Sequence, residues 1–176
     1  LKKEKVVKAG ETITLTDLNN QSDDKIAVDI ENLHQYVKKD QSIFIDDGII
    51  EIKVKEINGA DIVCEVIFGG TIRPRKGVNL PDVDLPIDAM TEKDIADLEA
   101  GAPLGFDYVA LSFVRTADDI KNLKKRLKAL NSNARVIAKI EKKEAIKNIE
   151  SIVSASDGIM VARGDLSVEI GQIHLP

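Results

Sequence analysis

The amino-acid sequence predicts an α/β protein in which a small all-β barrel precedes part of a (β/α)8-type barrel. Three observations carry this reading. Up to residue 68 the apolar residues alternate with period two, and beyond about residue 90 the period becomes 3.6. Between these regions lies a connecting stretch, residues 71–86, punctuated by Pro74, Gly77, Pro81 and Pro86. The second half then runs strand, helix, strand, helix, strand, an order that requires a parallel sheet with right-handed crossovers.

The first half reads as five or six short strands. Thr12-Ile13-Thr14-Leu15-Thr16 alternates cleanly, and residues 25–30 place Ile26, Val28 and Ile30 on one face. Residues 32–39 form a short connection, and Ser42-Ile43-Phe44-Ile45 is a strand ending on Asp46-Asp47-Gly48. Residues 50–57 and 60–68 flank Asn58-Gly59, the dipeptide that most strongly signals a two-residue hairpin turn. Ile62, Cys64, Val66 and Phe68 then share a face, which makes Cys64 a small core residue. Gly69-Gly70 closes this region, and short strands with tight turns suggest a small barrel or sandwich.

In the second half, Thr91 with Asp94 forms a capping box for a helix that ends at Gly101. Residues 107–114 read as a buried strand. Thr116 and Asp119 cap the next helix, whose apolar stripe is Ile120, Leu123, Leu127 and Leu130. A strand at 134–141, a helix at 143–154 with Ile146, Ile149, Ile152 and Val153 inward, and a strand at 158–165 come next. The cores of the last two strands, 136–138 and 158–162, are uninterrupted apolar runs, as expected of strands buried on both faces. Three parallel strands do not close a barrel, and a complete one needs about 200 residues or more. The chain therefore reads as a fragment.

Composition bounds the function. With 43% hydrophobic and 31% charged residues and a net charge of −5, the chain has a soluble, globular composition that argues against nucleic-acid or membrane-surface binding. Aromatic residues make up only 3% and Trp is absent, which removes the usual base-stacking platforms. A single cysteine, Cys64, excludes an intrachain disulfide and a cysteine zinc site. No apolar run approaches the ~20 residues that span a bilayer, so the cytoplasm is the default compartment. His34 and His174 have no partner pattern. Lys121, Lys124, Lys125 and Lys128 read as solvated helix surface.

The chemistry concentrates where the last two strands end. Period-two geometry puts Lys139 and Glu141 on the same side of one strand. Arg163, Gly164 and Asp165 arrive at the end of the next. In α/β architectures the carboxyl ends of parallel strands form the edge that carries the site. Taken singly, Lys139 with Glu141 reads equally as a solvated ion pair, and Gly164-Asp165 as a turn. Asp46-Asp47-Gly48 is better explained by turn chemistry than by catalysis, and Lys76-Gly77 by a hinge. Arg115 and Arg163 read as structural ion-pair partners.

Together, Ile45-Asp46-Asp47-Gly48, Lys76-Gly77-Val78-Asn79-Leu80-Pro81, Thr91-Glu92-Lys93-Asp94, Ser112-Phe113-Val114-Arg115, Ala138-Lys139-Ile140-Glu141 and residues 156–169 resemble pyruvate kinases, in order and over nearly the whole chain. The resemblance implies that residues 1–75 are the nucleotide-facing all-β lid, or B domain. Residues 76–176 would be part of the catalytic TIM-type barrel. It implies metal ligands at Glu141 and Asp165, a catalytic and substrate-contacting Lys139, and substrate-carboxylate binding at the amides of Gly164 and Asp165. Lys76 and one of Asp46 or Asp47, here Asp47, would face the nucleotide. The implied cofactor is Mg²⁺ or Mn²⁺, with K⁺ held by residues outside this chain. The implied substrates are phosphoenolpyruvate and ADP, giving pyruvate and ATP, in an intact homotetramer of which this chain alone would be inactive. The sequence departs from the family pattern at Asp82, Lys142, Ala145, Ser167 and Gly171, none of them an implied ligand. Two other readings compete: a Mg²⁺-dependent lyase or aldolase acting on a pyruvate enolate, and a non-catalytic ligand-binding fragment. The all-β region and residues 76–81 speak against the lyase, which has no nucleotide to cover.

Overall fold

The structure, a computed structural model, describes residues 4–83, 85 and 88–171. Pro86 and His174 thus lie outside the described residues. The chain divides into two compact units, Leu1–Leu85 and Pro86–Pro176.

The first unit carries β1 (Lys5–Val7), β2 (Thr12–Asp17), β3 (Ile26–Val28), β4 (Ser42–Ile45), β5 (Ile50–Asn58), β6 (Asp61–Phe68), β7 (Gly70–Ile72) and β8 (Val78–Asn79). Six of these form one all-β barrel sheet in the order β3-β2-β6-β5-β4-β8, and β1 pairs separately with β7. Only the β2–β3 pairing is parallel in the six-stranded sheet. Alternation puts Ile13, Leu15, Ile43, Ile45, Ile52, Val54, Ile62 and Cys64 into a common core. The unit does not close at Gly69-Gly70. β8 adds to β4, and Leu80 and Val83 join the core, so the first compact unit extends beyond residue 75. Gly69 is needed because a Cβ there would lie 2.5 Å from the Val7 carbonyl oxygen.

The hairpin forms as expected but one residue later. Asn58 pairs with Asp61, so Gly59 and Ala60 are the two turn residues, and only Gly59 has positive φ, at 61°. Glycine first and an ordinary residue second is the II′ pattern, which matches strand twist. The expectation for Phe68 is overturned. A register irregularity between Glu51 and Ile52 shifts the pairing, so Phe68 opposes Glu51 while Val66 opposes Ile52. A bulge reverses the facing of the residues beyond it, and Phe68 is 61% exposed.

Cys64 is buried, and burial pushes its thiol up to about 12. Alkylation of Cys64 at pH 8 is therefore expected to proceed only as fast as the β unit opens, and its rate should rise in parallel with unfolding by urea. Rapid labelling in native buffer would contradict this. The linkage sign is also defined. Below about pH 9 the thiol is neutral in both states, whereas above it only the unfolded chain ionises. This group's contribution to stability is consequently lost as pH rises from about 9 towards 12.

The second unit carries α1 (Glu92–Gly101), β9 (Tyr108–Leu111), α2 (Ala117–Ala129), β10 (Arg135–Ile140), α3 (Lys143–Lys147), α4 (Ile149–Ala155), β11 (Gly158–Val161) and α5 (Arg163–Ile170). Its sheet is parallel, ordered β11-β10-β9, with Ala138 opposite both Leu111 and Ile159. Capping boxes start α1 at Thr91 with Asp94 and α2 at Thr116 with Asp119. Ile120, Leu123 and Leu127 pack with Val136, Ala138 and Ile152 in this unit's core. Asp157 ties the opening end of the sheet. Its carboxylate accepts from Val136 N–H at 2.8 Å and from Lys124 Nζ at 2.9 Å. The Val136 bond and then Lys124 hold that carboxyl below its ordinary value, so Lys124 is an anchored partner rather than free surface.

Four expectations fail here in whole or in part. α1 ends at Gly101 as expected, but Gly101 is not its left-handed cap. The chain continues into a 3-10 turn, Ala102–Leu104, and the left-handed residue is Gly105, φ 71°. The helix expected over 143–154 is split at Asn148, whose ψ of 14° leaves the helical range, and Ile146 and Val153 consequently face outward. The strand expected over 158–165 ends at Val161, and Arg163, Gly164 and Asp165 begin α5. The outer strands β9 and β11 are also not buried on both faces, with Met160 45% exposed. Among the described residues Tyr108, Ile159, Met160 and Val161 are only partly covered.

Candidate active site

β10 ends in the ion pair that its periodicity implies. Lys139 and Glu141 project to one side of the strand, and Lys139 Nζ lies 2.5 Å from Glu141 Oε1. Glu141 is almost fully enclosed, its side chain 2% exposed, whereas Lys139 keeps 26%. A buried carboxylate requires donors on both oxygens. The second donor is the Phe113 amide, 2.8 Å from Glu141 Oε2. Phe113 delivers it from a left-handed conformation, φ 55°, with its ring exposed. A bulky side chain rarely adopts that conformation, and such strain accumulates at functional sites. Lys139 Nζ also donates to Ser112 Oγ at 2.9 Å. The carboxyl ends of β9 and β10 thereby share one hydrogen-bonded cluster.

β11 brings the next group alongside. Ile140 is in register with Val161, and the Ala162 amide donates to the Ile140 carbonyl at 3.2 Å. The chain then turns directly into α5, whose first helical bond runs from Leu166 N–H to the Ala162 carbonyl. The amides of Arg163, Gly164 and Asp165 precede that bond and lie at the positive end of the helix, a place suited to an anion. A Cβ built on Gly164 would meet no atom within 4 Å. The protein's own packing therefore does not call for glycine here, and the space a Cβ would take is open. Asp165 is partly buried, and among the described residues no hydrogen bond or ion pair joins it to Glu141.

The residue pattern missed two further groups. Lys142, directly after Glu141, pairs with Glu169 of α5 at 2.6 Å. Ser112 and the Phe113 amide, which hold Lys139 and Glu141, belong to a stretch that carries the family resemblance, but the pattern gave them no site role. The available signal for Glu169 was its spacing of one helical turn from Asp165.

Within the first unit, Lys76 Nζ contacts Asp46 Oδ1 at 2.9 Å rather than Asp47. Asp46, Asp47 and Gly48 have φ of 58°, 55° and 84°, so this acidic pair closes the β4–β5 hairpin. Asp47 is exposed.

The family model for the pyruvate kinase barrel domain matches residues 2–176. The chain belongs to the pyruvate kinase family. It is 43% identical to the pyruvate kinase of Clostridium perfringens over 153 residues, covering 86% of this chain and 32% of that protein. It is 43% identical to pyruvate kinase 2 of Synechocystis over 173 residues, covering 97% of this chain and 29% of that protein. The Staphylococcus saprophyticus enzyme is 40% identical over 168 residues, or 94% of this chain and 28% of that protein. The chain thus spans about a third of the length of these pyruvate kinases.

A divalent metal, which the pyruvate kinase family suggests, can be tested against the donors present. Among the described residues no three His, Cys, Asp or Glu side chains cluster closely enough to hold an ion by themselves. A small hard cation such as Mg²⁺ needs only one or two carboxylates, with phosphate and water oxygens completing the shell. Glu141, directly after β10, and Asp165, in the first turn of α5, are carboxylates of that kind. No helix among the described residues is long and apolar enough to cross a membrane.

Proposed function

We propose that the protein carrying this chain transfers the phosphoryl group of phosphoenolpyruvate to ADP, giving pyruvate and ATP, the last step of glycolysis. The supporting observation is the enclosed Lys139–Glu141 pair at the end of β10, beside the amide-bearing start of α5. In this reading residues 86–176 supply part of a TIM-type barrel, and the first unit is the mobile lid whose Lys76 and Asp47 face the nucleotide. The protein works in the cytoplasm as a homotetramer, and K⁺ is held by residues outside this chain.

Glu141 and Asp165 would hold Mg²⁺ or Mn²⁺, which neutralises phosphoryl charge when bound. The chain's own residues do the positioning. The Gly164 and Asp165 amides receive the substrate carboxylate at the helix start, fixing the direction of the enol oxygen. Lys139 changes partner. Without substrate its ammonium neutralises Glu141, and with substrate it donates to a phosphoryl oxygen while Ser112 Oγ keeps it oriented. A fixed cation at that point stabilises charge that builds on the phosphoryl and enolate oxygens as the bond breaks. The buried walls around Glu141 limit the water that competes for the phosphoryl group.

Pyruvate formation from phosphoenolpyruvate and ADP, followed with Mg²⁺ present in the intact protein, tests the reading. Failure to produce pyruvate would overturn it. Gly164→Ala gives a sharper local test. Its methyl meets nothing in the protein, and alanine favours a helix by up to about 1 kcal/mol over glycine. The fold should be as stable as before or slightly more so, while KM for phosphoenolpyruvate rises. An unchanged KM would remove the substrate carboxylate from this helix start.

A further inference from the structure

We propose that the Lys142–Glu169 ion pair is a positioning device that sets the separation of the Glu141 and Asp165 carboxylates, and through it the affinity for the divalent cation. This inference rests on the metal-holding role proposed for those two residues. Lys142 comes directly after Glu141 in the chain, and Glu169 comes one helical turn after Asp165, so each member of the pair is a near neighbour of one implied ligand.

The pair is built into the structure rather than laid on it. Lys142 Nζ lies 2.6 Å from Glu169 Oε1, with the glutamate side chain 1% exposed and the lysine 24%. Glu169 Oε2 has no hydrogen-bond partner among the described residues. The buried charge therefore depends on Lys142. If α5 moved away from the end of β10, Glu169 would lose the cation that neutralises it.

Besides the burial of Leu166 in this unit's core, two polar attachments tie α5 to the end of β10. The Ala162 amide bonded to the Ile140 carbonyl fixes where the helix begins. The Lys142–Glu169 pair fixes its far turn. Burial of one apolar face leaves a short helix some freedom to slide and tilt, and two polar attachments, one at each end, narrow both its direction and its rotation. Residues four apart lie on one helix face, so holding Glu169 against Lys142 also aims the Asp165 side of α5 towards the strand end that bears Glu141. Among the described residues Asp165 has no bond to Glu141, so its placement comes from the packing of α5, of which the Lys142–Glu169 pair is a part.

Mn²⁺ binding to the intact protein, followed by electron paramagnetic resonance of the free ion, separates positioning from simple stabilisation. Asp165→Asn is the reference that must lose affinity. Lys142→Met is expected to raise the Mn²⁺ Kd by about 10–100-fold, the range found when groups supporting metal ligands are removed. Lys142→Arg, which keeps the charge on Glu169, is expected to restore a Kd close to that of the unaltered protein. Should Lys142→Met fail to fold, Glu169→Gln carries the test, because it leaves no unpaired charge inside and the freed lysine can reach solvent. Its Kd must rise as well. Wild-type Kd in the folded Lys142 and Glu169 variants, alongside a defective Asp165→Asn, would overturn the positioning role and leave the metal assignment standing. An arginine variant as weak as the methionine variant would also overturn it. Normal Mn²⁺ binding by Asp165→Asn would overturn the metal assignment and this inference together.

Discussion

Glu141→Gln in the intact protein is expected to lower kcat by about 10²–10³-fold and to weaken divalent-cation binding. A metal at a phosphoryl centre supplies several kcal/mol, and each ~1.4 kcal/mol is a factor of ten in rate. The amide keeps the shape of the side chain but removes its charge, so it is a poor ligand for a hard cation. It also disturbs the resting cluster. Glu141 accepts from Lys139 through Oε1 and from the Phe113 amide through Oε2. The amide can preserve one acceptor, but its NH₂ would oppose a donor, leaving either Lys139 or Phe113 mismatched. The two effects are separable by measuring thermal unfolding with and without Mg²⁺. A purely structural role predicts the same loss of stability in both conditions and near-normal turnover for the fraction that stays folded. The metal role predicts that the variant is no longer stabilised by Mg²⁺. Near-normal turnover of a folded Glu141→Gln protein would remove Glu141 from the ligand set.

Lys139→Met is expected to show a different kinetic signature. The methionine fills much of the same space but leaves no cation, so kcat should fall by roughly 10²–10³-fold, the usual cost of removing one preorganised donor. KM for phosphoenolpyruvate should change far less, because the lysine acts on charge that grows only as the phosphoryl bond breaks. The variant leaves Glu141 buried with the Phe113 amide as its remaining donor. Bound Mg²⁺ should therefore stabilise this protein more than it stabilises the unaltered one. A change confined to KM would identify Lys139 as a binding group only.

Much of this architecture was legible before any coordinates, wherever the determinants are local. Thr91 with Asp94 and Thr116 with Asp119 announce helix starts because a capping box is closed within four residues. Ser42–Ile45 alternates and forms β4 as read, and the apolar run of 158–161 forms β11. The expectation for Lys139 and Glu141 comes from strand geometry alone, and the structure pairs them. The misread residues are those that depend on neighbours distant in sequence. Phe68 continues the alternation of Ile62, Cys64 and Val66, yet a bulge against β5 turns it outward.

The sequence by itself determined the type of most elements, the same-side placement of Lys139 and Glu141, and the motifs that the pyruvate kinase family shares. These are properties of short stretches, and periodicity and capping chemistry encode them directly. Only the tertiary structure decided that Gly164 and Asp165 begin a helix, that Asp46 rather than Asp47 meets Lys76, and that Lys142 reaches Glu169. The reason is the same in each case. A residue's pattern tells which way it points along its own element, whereas what it meets there depends on which other element the chain brings opposite.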